Sequence, residues 1–122
     1  MSAASRKGQT FERLIANHLR DNLDDRIDIR PKNGTNDRGD LGGIRTTTGG
    51  KVVAELKNHN RMELGQWIKD AETERGNDDA QVGVVIRKRK GAGQPGDQYV
   101  TLTVDSLIVL LGGPITDLGE NT

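Results

Sequence analysis

Three residues of this chain have types and spacing suited to chemistry: Asp40, Glu55 and Lys57. Side chains of an extended strand alternate between faces, so Glu55 and Lys57 point one way and Ala54 and Leu56 the other. Asp40 needs a second strand to join them. Leu41 to Thr46 and Lys51 to Lys57 read as two extended runs joined by Thr47-Thr48-Gly49-Gly50, a hairpin whose glycines accept positive φ. If the turn pairs Thr46 with Lys51, the register sets Asp40 opposite Lys57 and Gly42 opposite Glu55, and all the charges share one face. A slip of one residue would turn Asp40 to the other face. Gly42 and Gly43 leave space above the group.

Two carboxylates converging beside an ammonium are what metal-assisted phosphodiester hydrolysis requires. Mg²⁺ prefers carboxylate and water oxygens, lowers the pKa of a bound water and neutralises charge on a phosphate. Mg²⁺ is therefore the expected cofactor, with Mn²⁺ as its substitute. Asp40 and Glu55 are its expected ligands, the Leu56 carbonyl a further one, and Lys57 would orient the attacking water or stabilise developing negative charge. Charges on a strand are ordinarily solvated. Here Val52-Val53-Ala54, directly before Glu55, is apolar on both faces, which puts the charges at the end of a buried strand.

The elements that must position this group follow from periodicity and breakers. Phe11, Leu14, Ile15, Leu19 and Leu23 recur at helical spacing and predict an amphipathic helix from about Gly8 to Leu23. Arg26 to Arg30 alternates as a short strand before Pro31, and Lys32 to Gly39 is loop chemistry. After the hairpin, Asn60 and Glu63 form a candidate capping box for a helix bearing Leu64, Trp67, Ile68 and Ala71, ended by Gly76. Ala80 to Ile86 is a nearly continuous apolar run, as in a strand covered on both faces. Arg87-Lys88-Arg89-Lys90 opens a glycine-rich loop that leads to a strand from Tyr99 to Thr103. A helix capped by Asp105 follows, with Leu107, Ile108, Leu110 and Leu111. The order is αβββαββα, an α/β layered domain with a mixed sheet between helices. It occupies residues 1–113, and residues 114–122 read as a flexible tail.

Composition narrows the classes. A chain of 122 residues with 32% hydrophobic and 2% aromatic residues has room for one core built on Val, Ile, Leu and Ala. Eighteen basic residues balance 18 acidic ones, so any affinity for nucleic acid must come from local clustering. The absence of cysteine excludes disulfides and Cys-ligated zinc, and two isolated histidines make no cluster, so a metal would need oxygen ligands. No apolar run approaches the roughly 18 residues of a membrane span, and no apolar signal segment follows the N-terminus. A cytoplasmic protein without membrane contact is expected.

Gly39-Asp40, a hairpin and Val53-Ala54-Glu55-Leu56-Lys57 together resemble the Asp…Glu-x-Lys signature of the PD-(D/E)XK nucleases. More specifically, Arg6-Lys7-Gly8-Gln9-Thr10-Phe11-Glu12-Arg13 is similar to the Arg-Lys-Gly…Glu-Arg opening of archaeal-type Holliday junction resolvases. The resemblance runs from about Arg6 to Ile86 and implies a restriction-endonuclease-like fold. It also implies that Glu12 is a helix carboxylate joining Asp40 and Glu55 at the metal, that Lys57 is the catalytic lysine and that Arg30 lies near the DNA backbone. Glu12 falls at the margin of the stripe of Phe11, Ile15 and Leu19, within reach of the sheet end. The segment Leu41-Gly42-Gly43 is less apolar than in those resolvases, and Trp67 alone stands for the aromatics of the second helix.

The implied activity is cleavage of branched DNA, above all four-way junctions, leaving a 5′-phosphate. Two matched cuts call for a symmetric homodimer. Arg6, Lys7, Arg30, Lys32 and Arg38 flank the proposed site and, with Arg87, Lys88, Arg89 and Lys90, are candidate phosphate contacts. Nicking, flap or restriction-like nucleases of the same superfamily, and a DNA-binding module without catalysis, are the alternatives.

Overall fold

A computed structural model of the chain describes residues 3–31 and 37–115. Its elements are α1 (Ala3–Asn22), β1 (Asp28–Ile29), β2 (Leu41–Gly42), β3 (Val52–Lys57), α2 (Leu64–Asn77), β4 (Val82–Arg87), β5 (Tyr99–Thr101) and α3 (Val104–Leu110), with a 3₁₀ turn at Pro95–Asp97. The five strands form one mixed sheet in chain order. β3 and β4 are parallel, from Val52 opposite Val82 to Lys57 opposite Arg87, and the other pairs are antiparallel. The α/β class and a mixed sheet flanked by helices are as expected. The order departs from αβββαββα only by the 3₁₀ turn, which Pro95 opens inside the segment read as loop.

Alternation along β3 explains the layers. Val52, Ala54 and Leu56 join Val82, Val84 and Ile86 of β4 in a core with Phe11, Ile15 and Ala16 of α1 and Val109 of α3. The opposite face carries Val85, packed on Trp67 and Ala71 of α2. β3 and β4 are thus covered on both sides, which is why they read as apolar runs. Gly83 permits the close approach of α2, since a Cβ there would lie 2.8 Å from the Ala71 carbonyl oxygen.

Several local expectations are corrected. The hairpin turn pairs Arg45 with Lys51, and Leu41 stands opposite Ala54, so Thr46 does not face Lys51 and Asp40 does not face Lys57. Between the two pairings the β2 side holds one extra residue, at a stretch that includes Gly43 with φ +92°, where a side chain would meet the Arg26 carbonyl. The combined offset from the expected register is two residues, which preserves the face. Asn60 and Glu63 make no capping box: Glu63 is the N-cap without a side-chain bond, and Asn60 accepts from Lys7 Nζ at 3.1 Å. The cap of α3 is Thr103, whose hydroxyl accepts the Ser106 N–H at 3.1 Å, in place of Asp105. No helix among the described residues is long and apolar enough to cross a membrane. Residues 116–122 of the expected tail lie outside the described residues.

Candidate metal centre

β3 is the scaffold of the site. The parallel ladder turns the odd residues of β3 toward β4, shown at its end by Lys88 N–H donating to the Lys57 carbonyl at 2.9 Å. Leu56 therefore directs its N–H and C=O to the side of β2. There the backbone of β2 has ended, and the side chain of Asp40 continues in its place. Its Oδ2 accepts the Leu56 N–H at 2.7 Å, while its own N–H donates to the Ala54 carbonyl and its carbonyl accepts from Arg30 N–H, each at 2.9 Å. Asp40 is 2% exposed, so this carboxylate is built into the sheet rather than solvated.

Gly39 makes that turn possible. Its φ is +91°, and a Cβ would lie 2.7 Å from Val53 Cγ1, so both conformation and space require glycine. Leu41 belongs to the α1 core, which turns Asp40 toward the α2 face with Glu55. Lys57 follows on that face, with its ammonium 3.3 Å from Glu55 Oε1.

Helix α2 adds a carboxylate that sequence reasoning did not single out. Glu74 is buried, and one oxygen each of Asp37, Glu55 and Glu74 lie within 4.8 Å of one another. Glu55 Oε2 and Glu74 Oε1 are buried and have no hydrogen-bond partner among the described residues. Asp37 is held at this place from both sides: its Oδ1 accepts from Gly39 N–H at 2.9 Å, and its carbonyl accepts from Asn77 of α2 at 2.8 Å. Burial raises the Glu55 pKa first of all, and the nearby Asp40 charge adds to this against the lowering by Glu74 and Lys57. Burial, and after it the hydrogen bond and charge of Glu55, push Glu74 up to about 10. A signal for Glu74 was present. It continues the spacing of Leu64, Trp67 and Ala71, so an acid stands where the stripe calls for an apolar residue. Asp37 had none beyond its closeness to Asp40 in a polar loop.

Glu12 is half-buried on α1, whose neighbouring Phe11 and Ile15 pack on the face of the sheet opposite α2. It is not among the three clustered carboxylates. The first turns of α1 do stand at the C-terminal end of β3, where Asn58 and Asn60 meet the Lys7 carbonyl and ammonium. Arg6 and Arg38 are exposed, and Lys32 lies outside the described residues. Arg30 is bound within the protein: its Nη1 is 3.0 Å from the buried carboxylate of Asp78 and donates to the Arg38 carbonyl. Its side chain also fills the space expected above Gly42, lying 3.1 Å from where a Cβ would stand.

The basic loop is ordered by its own contacts. The guanidinium carbons of Arg87 and Arg89 lie 4.8 and 4.3 Å from the Tyr99 ring centroid. Lys88 Nζ donates to the carbonyls of Arg89 and Ala92, the former at 2.8 Å, and Lys90 is exposed.

Chemically, a group of carboxylates in which Asp40, Glu55 and Glu74 are buried, with two oxygens lacking donors among the described residues and an adjoining lysine, suits a hard cation. Searches of protein-family models, curated proteins and solved structures returned no match to this chain.

Proposed function

We propose that this protein is a metal-dependent endonuclease acting on branched DNA, above all four-way junctions, with Asp40, Glu55 and Lys57 at its centre. The observation that carries the reading is the seating of Asp40: its carboxylate is bonded to the Leu56 N–H, beside Glu55 and on the face where Lys57 meets Glu55. A carboxylate within the sheet, a second from the adjoining strand and a lysine two residues on supply both ligand and proton-handling groups at one place. The orphaned oxygen of Glu55 and the direction of the Leu56 carbonyl suit the hard ion that the sequence implies.

Asp40, Glu55 and the Leu56 carbonyl would hold Mg²⁺, or Mn²⁺ in its place, with Glu12 approaching from α1 as the resemblance implies. Bound there, the ion would supply Lewis acidity toward a water and a phosphate oxygen. Asp40 keeps the strand end rigid through Leu56. Glu55 places a carboxylate against the Lys57 ammonium, and Lys57 orients the attacking water and offsets charge developing on the phosphate. The first turns of α1, with Arg6 and Lys7, stand at the end of β3 and suit contacts with the DNA backbone. A homodimer belongs to this reading, because paired cuts need paired sites. Val104 of α3 and Leu111 just after it, 75% and 68% exposed, are apolar surface that a second copy would cover.

The test is incubation of the protein with a labelled four-way junction, a matched linear duplex and a flap, with and without Mg²⁺. Paired symmetric nicks in the junction alone are expected. Cleavage of duplex or flap would keep the nuclease and change its substrate, and binding without cleavage of any substrate would overturn the catalytic reading in favour of a DNA-binding module.

A further inference from the structure

We propose that Asp37, Glu55 and Glu74 form a binding site of their own for a hard divalent cation, on the α2 side of the sheet. It shares Glu55 with the proposed nuclease ligands Asp40, Glu55 and the Leu56 carbonyl, and draws its other ligands from Asp37 and Glu74. The three side chains come from three elements, the loop before β2, the strand β3 and the helix α2, and each brings one oxygen to within 4.8 Å of the others. Oxygens gathered within that limit can share one ion of Ca²⁺ type, whose bonds are roughly 2.3–2.6 Å.

The independent sign of a ligand is the pair of orphaned atoms. Glu55 turns Oε1 to Lys57, and among the described residues Oε2 and Glu74 Oε1 meet no donor apart from the proton of the Glu55–Glu74 contact itself, which a cation would replace. The two residues are 7% and 3% exposed, so neither oxygen can rely on bulk water. A buried polar atom without a partner is costly, and buried carboxylates are ordinarily paired or bound to metal. Lys57 meets Glu55, beside three clustered carboxylates with Asp40 close by. Asp37 is fixed in advance by Gly39 and Asn77, so the site needs little ordering to bind.

The site shares Glu55 with the proposed nuclease centre and rests on that reading in this residue alone. It is tested by metal binding rather than cleavage. The protein, freed of metal with a chelator, is titrated with Mn²⁺ and followed by the electron paramagnetic resonance of the free ion, in the wild type, Glu74→Gln, Asp37→Asn and Asp40→Asn. Glu74→Gln and Asp37→Asn should each weaken one class of Mn²⁺ site by roughly tenfold or more, while Asp40→Asn leaves that class intact. Mn²⁺ should raise the melting temperature of the wild type and of Asp40→Asn, and fail to do so in Glu74→Gln. Asp37 is exposed, so its variant reads the site without disturbing the core.

Binding by Glu74→Gln and Asp37→Asn that matches the wild type overturns the proposal. So does a wild type that takes up no Mn²⁺ at millimolar concentration. Failure of junction cleavage with this Mn²⁺ pattern intact would sink the nuclease reading and keep the site, whereas the converse would sink the site alone.

Discussion

Replacing Glu74 by Gln should stabilise the metal-free protein, and increasingly so as pH rises. The ordinary pKa of 4.5 is pushed up to about 10 in the fold, first by burial and then by Glu55. A carboxyl with a raised folded pKa contributes stability fully present below its unfolded pKa. That contribution is lost as pH climbs toward the folded value, because the unfolded chain sheds the proton first. Each pH unit in this window costs the wild type about 1.4 kcal/mol. Glutamine mimics the protonated acid, keeps an N–H for Glu55 and does not titrate. At pH 7 the gap between variant and wild type should therefore be roughly 3 kcal/mol, and between pH 5 and 8 it should widen by roughly 4 kcal/mol. Glu55 faces a carboxyl in the wild type and an amide in the variant, so the difference reads the two carboxyls together. Urea unfolding at several pH values in chelator measures the difference directly. A gap that stays constant within about 0.5 kcal/mol from pH 5 to 8 would refute the placement of Glu74 as a buried, proton-retaining acid.

Asp40→Asn keeps an oxygen for the Leu56 N–H, so it should change stability by no more than about 1 kcal/mol while lowering junction cleavage by on the order of a hundredfold or more; gel-shift binding of the junction should persist. Arg30→Ala leaves the buried Asp78, among the described residues, with Lys51 3.9 Å away, and should cost about 2–3 kcal/mol in urea unfolding. Unchanged stability with weakened DNA binding would instead return Arg30 to the phosphate backbone. Gly83→Ala places a methyl 2.8 Å from the Ala71 carbonyl and should cost about 1–3 kcal/mol, read as a fall of several degrees in melting temperature.

Sequence by itself determined most of the layering. The apolar run of Val82 to Ile86 and the stripe through Phe11 and Ile15 depend on local periodicity, which the chain carries wherever it folds. The same holds for the shared face of Glu55 and Lys57, since alternation along one strand needs no partner. Asp40 was legible for a weaker reason. Its face survived because the actual pairing of Leu41 with Ala54 lies two residues from the expected register, and an offset of two restores the parity that an offset of one destroys.

Tertiary structure alone decided what these side chains meet. Arg30 was expected at the DNA backbone, and β1 with the end of α2 brings it to Asp78, while β5 lays Tyr99 beside Arg87 and Arg89. The same is true of Asp37, Glu55 and Glu74, separated by 18 and 19 residues in sequence and joined by the crossover that lays α2 on the sheet. Periodicity tells which face a residue takes along its own element. Proximity between elements comes from how the layers pack, and that is where the carboxylates of this protein gather.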